Sequence, residues 1–278
     1  MHTWRGVTDA ADDFMRAAVE RPSETLLALD FDGTLAAIVP NPEDSRLHER
    51  SAEALTVLAS RLGHLAIITG RGVETVRRLA RLDERPALKG LIVLGGYGAE
   101  RWEVGASFTS QAPRPEAIAA ALPRVEAAIS GSGFSGVEVE DKGQALGVHT
   151  RPSNDPAGAY KALLPRLVAI AGDLGLTLEP GRSVLELRTS KVTKGDALRE
   201  LIAETGARVV AMCGDDLGDL PAFEVLQEAR GEGVVACRVV SGSTEQVAVA
   251  EQADLLADGP DGMADWLQHL ATRIAREA

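Results

Sequence analysis

The sequence predicts an α/β protein: a doubly wound parallel sheet interrupted by an inserted α+β unit. Three observations carry that expectation. Short apolar runs end in polar groups, Leu26 to Leu29 before Asp30, His64 to Ile68 before Thr69 and Val209 to Cys213 before Gly214-Asp215. Helical patterns separate these runs, which is the rhythm of parallel strands joined by crossover helices. Between about Gly105 and Arg188 the rhythm gives way to two helices, each followed by a pair of alternating strands, and it then resumes. A chain of 278 residues has room for about two domains of the usual ~100 to 200 residues.

Taken in order, Ala10 to Glu20 reads as a short amphipathic helix, with Phe14, Ala17 and Ala18 inward. The strand ending at Asp30 follows. Pro40-Asn41-Pro42 then marks a loop, and a helix runs from His48 to Leu62. The strand His64 to Ile68, a helix from Val73 to Leu82, the strand Leu91 to Leu94 and a glycine-rich turn at Gly95 to Gly98 complete the first half. In the insertion, Pro115 to Ser130 is helical, and strands around Gly136 to Lys142 and Ala145 to Arg151 form a hairpin at Gly143. A helix from Asp155 to Leu174 precedes strands Leu176 to Glu179 and Ser183 to Arg188, joined across Pro180-Gly181. Beyond it come a helix opening at Lys194, the strand ending at Asp215, a helix from Leu220, a strand from Gly233 to Val239 and a closing helix from Pro260 to Glu277. The core is thus Rossmann-like in its winding.

Composition narrows the class. Hydrophobic residues make up 45% and charged residues 25%, as in an ordinary globular protein, and at 4% aromatic the core must be built from Ala, Leu, Val and Ile. A net charge of −12 argues against a nucleic-acid or anionic-membrane surface, since those partners need clustered cations. Cys213 and Cys237 lie in apolar runs and read as small buried hydrophobes. Neither a secretion signal nor an apolar run of the ~18 to 20 residues that span a bilayer is seen, so a cytoplasmic enzyme is expected.

The chemistry centres on Leu27-Ala28-Leu29-Asp30-Phe31-Asp32-Gly33-Thr34-Leu35. A buried strand delivers two acids at its carboxyl end, which is where ligands bind in open α/β sheets. Acids at i and i+2 of an extended segment share one side and repel unless a cation lies near them; a hard divalent ion, Mg²⁺, resolves this. Thr69 ends a second strand, Asp215 and Asp216 end a third with Asp219 just beyond, and Lys194 opens a helix. Each alone is commonly a turn former, a helix cap or a solvated charge. Their joint placement at successive strand ends is the signal.

In this order, Asp30-Phe31-Asp32-Gly33-Thr34, Thr69-Gly70-Arg71, Lys194-Gly195 and Gly214-Asp215-Asp216 with Asp219 resemble the four motifs of the haloacid dehalogenase phosphatase superfamily. The resemblance implies that Asp30 is the nucleophile taking phosphate as an aspartyl-phosphate, and that Asp32 protonates the leaving alcohol and then activates water. It implies Thr69 and Lys194 as phosphoryl-binding groups and Arg71 as a substrate-binding residue. Mg²⁺ is expected on Asp30, Asp215 and the backbone carbonyl of Asp32, with Asp216 and Asp219 holding metal water or orienting Lys194. Asp32 would need a raised pKa to give up its proton near neutral pH.

Within the insertion, Glu140-Asp141-Lys142-Gly143, Val148-His149 with Arg151, and Val184-Leu185-Glu186-Leu187-Arg188 resemble the trehalose-6-phosphate phosphatase family. That likeness implies Glu140, Lys142 and Glu186 as contacts to sugar hydroxyls, on a cap (108–188) inserted into a catalytic core (1–107 and 189–278). His149 reads as structural. Tyr97 stands where the family usually carries His, no Pro precedes Lys194 and no Thr precedes Asp219, which leaves the sugar open. A Mg²⁺-dependent trehalose 6-phosphate phosphohydrolase is expected. The alternatives are a phosphatase for a sucrose-, glucosylglycerol- or validoxylamine-type phosphate, or a sugar-phosphate-binding regulator without turnover. The expected partner is the sugar phosphate alone, with no nucleic acid and no membrane, and a monomer is the working reading.

Overall fold

The structure, a computed structural model, describes residues 3–107, 115–181, 183–189, 191–242 and 247–277. In chain order the first elements are β1 (Trp4–Gly6), α1 (Asp9–Glu20), β2 (Thr25–Leu29), α2 (Glu49–Ala59), β3 (His64–Ile68), α3 (Val73–Leu79), β4 (Ile92–Gly95) and β5 (Glu100–Glu103). Next come α4 (Glu116–Ser130), β6 (Glu138–Asp141), β7 (Ala145–His149), α5 (Pro156–Leu174), β8 (Thr177–Gly181) and β9 (Val184–Arg188). The chain ends with α6 (Lys194–Thr205), β10 (Val209–Gly214), α7 (Leu220–Gly231), β11 (Val235–Gly242), α8 (Val247–Ala250), β12 (Leu255–Asp258) and α9 (Gly259–Glu277).

Two compact units result, Met1–Thr109 with Val192–Ala278, and Ser110–Lys191. The expected cap boundary at 108 lies outside the described residues. In the first unit the sheet order is β1-β12-β11-β10-β2-β3-β4-β5, parallel from β12 to β4 and antiparallel at both edges. Connections run outward one way from β2 and the other way from β10, so the order reverses between these two strands. Because strand side chains alternate, each strand serves two cores. Leu27, Leu29, Leu65, Ile67, Val209 and Ala211 pack with α1, α2, α3 and α9; Leu26, Ala28, Ala66, Ile68, Val210 and Met212 pack with α6 and α7. Helices therefore cover both faces, as a doubly wound sheet requires. Met263, Trp266, Leu267, Leu270 and Ile274 of the closing helix are buried as predicted. Both cysteines are free and buried, and burial pushes each thiol's pKa up.

The second unit is a four-stranded sheet, β6-β7-β9-β8, antiparallel throughout. Leu146, Val148, Leu185 and Leu187 turn one face onto α4 and α5. One sequence expectation needs correction here. Pro180-Gly181 is not the turn: both continue β8, opposite Leu185 and Val184. Since β8 is an edge strand, the missing N–H of Pro180 costs no ladder bond on its outer side. Three short strands, β1, β5 and β12, were not expected from the sequence.

Candidate active site

Parallel pairing of β2 with β10 puts Leu29 opposite Cys213, and the Asp30 N–H donates to the Cys213 carbonyl at 2.8 Å. Leu29 and Cys213, 184 positions apart in sequence, thereby leave the sheet side by side at the reversal point. Asp30, Asp215 and Asp219 each bring a carboxylate oxygen within 4.8 Å of the others. Two glycines make the approach possible. A Cβ on Gly33, whose φ is +75°, would lie 2.1 Å from Asp215 Oδ2, and one on Gly214 would lie 2.2 Å from Asp219 Cγ. From the neighbouring β11, the Ser241 hydroxyl donates to the Gly33 carbonyl at 2.6 Å and steadies that loop.

Lys194 is the cation of this pocket. Thr193 caps α6 and forms a reciprocal capping box with Asp196, which fixes Lys194 in the first turn. A cation there opposes the helix dipole. Its compensation is two carboxylates: Nζ lies 2.8 Å from Asp30 Oδ1 and 2.8 Å from Asp219 Oδ1, with all three side chains buried. Asp219 spends its other oxygen on the N–H groups of Asp215 (2.9 Å) and Asp216 (3.1 Å). Asp216 instead accepts from the Gly218 N–H at 2.9 Å, so its side chain caps the turn.

One ammonium against three carboxylates leaves the pocket short of positive charge. Burial pushes Asp30 up to about 8, against the pull of Lys194 and with help from Asp219 and Asp216. Burial, followed by repulsion from Asp30, Asp216 and Asp219, pushes Asp215 up to about 10. Burial also raises Asp219. Lys194 is moved well above its usual value: burial opposes the shift, but Asp219 and Asp30 outweigh it. Clustered oxygen donors with uncompensated negative charge fit a hard divalent cation.

Thr69 is buried at the end of β3, adjacent to β2; its hydroxyl accepts from the Arg71 N–H at 3.2 Å. Arg71 holds Asp32 with two nearly parallel bonds, Nε to Oδ2 at 2.5 Å and Nη2 to Oδ1 at 2.8 Å, and Ser45 adds a third at 3.2 Å. The carboxylate of Asp32 therefore faces Arg71, outside the Asp30–Asp215–Asp219 cluster. That pairing was not foreseen from the sequence, whereas the contact of Asp219 with Lys194 is one of the two roles the resemblance implied for it.

In the second unit, the sheet face away from the helices carries a separate polar cluster. Glu140, Gly147 and Glu186 are direct cross-strand neighbours and so share a face. Lys142 hydrogen-bonds Glu186 and lies 4.0 Å from Glu140, while His149 Nε2 lies 2.9 Å from Glu140 Oε2. Gly147 supplies the floor beneath them, since a Cβ there would lie 3.1 Å from His149 Nε2 and 3.6 Å from Glu140 Oε2. Glu186 is buried, and its Oε1 has no hydrogen-bonding partner among the described residues. The structure thus gathers Glu140, Lys142 and Glu186 on one sheet face and adds His149, whose alternation with Gly147 was the available clue.

The chain is similar to known proteins along most of its length. A family model described as trehalose-phosphatase matches residues 28–261. Trehalose-6-phosphate phosphatase of Escherichia coli is 28% identical over 251 residues, covering 89% of this chain and 87% of that protein. Trehalose-phosphate phosphatase B of Arabidopsis thaliana is 30% identical over 237 residues, 80% of this chain and 60% of its own length. Among solved structures, a trehalose-6-phosphate phosphatase related protein superposes with a TM-score of 0.69 at 24% identity, covering 91% of this chain and 100% of that one, which is a likeness of fold.

Proposed function

This chain belongs to the trehalose-phosphatase family and is a phosphatase, and from that membership we propose that it hydrolyses trehalose 6-phosphate to trehalose and phosphate through an aspartyl-phosphate on Asp30. The observation that carries the reading is the cluster of buried Asp30 and Asp219 with half-buried Asp215 around Lys194. Phosphoryl transfer needs in-line positioning and cancellation of spreading negative charge more than covalent help.

In this reading an Asp30 oxygen attacks phosphorus, the sugar oxygen departs, and Asp32 supplies its proton. Asp32 then takes a proton from water, whose oxygen attacks phosphorus and frees Asp30. Thr69 and Lys194 hold the phosphoryl oxygens, and Lys194 also aims Asp30. Asp219, with both oxygens committed, holds Lys194 and the Asp215 loop in place. Asp30, Asp215 and the carbonyl of Asp32 would hold Mg²⁺, with Asp216 near its water; bound there, the ion screens charge on the phosphoryl group. Arg71 occupies both oxygens of the Asp32 carboxylate, so only after the pair opens does Asp32 take up from solvent the proton that it gives to the leaving oxygen. An arriving phosphate dianion competes for the guanidinium, which makes Arg71 a substrate-binding group and frees Asp32 in one event.

Glu140, Lys142 and Glu186 receive the sugar hydroxyls, the open acceptor of Glu186 being suited to a hydroxyl donor. Phosphate release in Mg²⁺ from a panel of trehalose, sucrose, glucosylglycerol and validoxylamine phosphates tests the substrate. Trehalose 6-phosphate should give the highest kcat/KM; a tenfold preference for another member, about 1.4 kcal/mol in the transition state, would overturn the choice.

A further inference from the structure

The turn Gly96–Gly98 between β4 and β5 has no part in the chemistry above, yet three pieces of the site rest on it. Tyr97 lies at φ 62° and ψ 19°, in the left-handed region that aromatic residues avoid. Such a conformation persists where its surroundings over-determine it. Here they do. The Tyr97 N–H donates to the Thr69 carbonyl at 2.8 Å and the Gly96 N–H to the Arg71 carbonyl at 2.9 Å, so the turn grips both ends of Thr69-Gly70-Arg71. A Cβ on Gly70 would lie 2.8 Å from both Cζ and the hydroxyl oxygen of Tyr97, which means the phenol rests directly on the Gly70 backbone. One on Gly218 would lie 3.9 Å from Tyr97 Cε1, so another edge of the ring reaches the Asp216–Asp219 turn. Gly98 meets α6 near Ala197, one turn beyond Lys194.

We propose that Tyr97 is a positioning residue of the phosphatase site. Its ring is the spacer that fixes the Thr69 loop against the Asp215–Asp219 loop, and so sets where a phosphoryl group on Thr69 lies relative to Asp30. This rests on the assignment of Asp30, Thr69 and Lys194 above. It acts through alignment, where an error of ~1 Å can cost on the order of 10²-fold in rate. The loss belongs in kcat more than in KM, because alignment matters most in the transition state.

Asn tolerates the left-handed conformation, so Tyr97→Asn removes the ring without adding backbone strain. We expect kcat to fall about 30-fold or more, with KM within about threefold and Tm held or raised. Tyr97→Phe keeps the ring and should return kcat to within about threefold of the parent enzyme. Gly70→Ala drives a methyl into the ring; it should lower kcat in the parent but cost nothing further in the Tyr97→Asn background. All rates are taken on trehalose 6-phosphate and on p-nitrophenyl phosphate. Parental activity on the aryl ester with none on the sugar ester would defeat the substrate assignment and leave this test running. Near-parental kcat in Tyr97→Asn, a kcat loss that only follows a fall in Tm, equal losses in Tyr97→Phe and Tyr97→Asn, or equal costs of Gly70→Ala in both backgrounds would each overturn the proposal.

Discussion

Two buried acidic clusters in the first unit obey opposite rules. Asp254 receives Arg230, two bonds from the Arg238 guanidinium at 3.0 Å each, the Arg238 N–H at 2.9 Å and the Thr8 hydroxyl at 2.9 Å. Burial alone would raise its pKa, but these donors, Arg238 foremost, hold it down at about 2. Around Asp30 the balance is reversed: one ammonium serves three carboxylates, and two of them are pushed up to about 8 and about 10. The first cluster is closed within the protein and ties β11, β12, α1 and α7 together. The second is left short of positive charge, and that deficit is what a divalent ion and Lys194 together can meet. Surplus charge in a buried site marks function; matched charge marks architecture.

The sharpest way to break this contrast is Asp30→Asn. Loss of the nucleophile should reduce phosphate release by at least about 10⁴-fold, the scale seen when a covalent catalyst is removed. The same change replaces one of three repelling acids with a neutral isostere, so in EDTA the variant should melt at the parental temperature or above it. Substantial residual turnover would remove Asp30 as nucleophile, and a large fall in Tm would make it a structural acid like Asp254.

The converse change is Asp254→Asn. Removing the carboxylate leaves Arg230 and Arg238 partly buried without their shared anion, which should cost about 3 to 5 kcal/mol in urea unfolding. Because no part of the proposed chemistry touches Asp254, kcat/KM of the folded protein should stay within about twofold. A third substitution separates the two units. Glu186→Ala should lower kcat/KM for trehalose 6-phosphate about tenfold or more, while changing p-nitrophenyl phosphate hydrolysis less than about threefold. Equal losses on both would reassign Glu186 to structure.

How much of this was legible in the sequence differs by region. The carboxyl ends of β2, β3 and β10 were readable because each is an apolar run broken by acids, a hydroxyl or glycine. The short strands β1, β5 and β12 were not: three or four residues such as Glu100-Arg101-Trp102-Glu103 are too short and too charged to show a period of two. Pro180-Gly181 looked like a turn because local chemistry favours one there, and only the edge position of β8 reveals why a strand is permitted. The Arg71–Asp32 pair was hidden for another reason. The sequence reads Arg71 as a substrate-binding residue and Asp32 as the acid at the leaving group, and nothing in spacing tells that two such groups will pair with each other. His149 became visible once β6, β7 and β9 were in register, which sequence alternation fixes only to within a choice of partner.

The smallest effect sharpens the contrast most, because the two clusters should titrate with opposite signs. Asp254 has its folded pKa depressed from 3.8 to about 2, so its contribution is complete above pH 4 and lost as pH falls toward 2, about 2 kcal/mol in all. Asp30 and Asp215 have folded pKa values raised to about 8 and about 10 without a metal, so they stabilise least where the unfolded chain is ionised and the folded protein must hold protons or repelling charges. Stability in EDTA should therefore decline from about pH 5 toward pH 9. Mg²⁺ that binds only the folded protein should oppose that decline, by about 2.7 kcal/mol at a hundred times its Kd, or roughly 5 °C in Tm. Because the ion displaces protons from these carboxylates, its binding heat at pH 7 should vary with the ionisation enthalpy of the buffer. The acid limb below pH 4 should not respond to Mg²⁺ at all. An alkaline limb equally indifferent to the ion would mean that Asp30 and Asp215 are closed within the protein as Asp254 is, and the distinction between the clusters would fail.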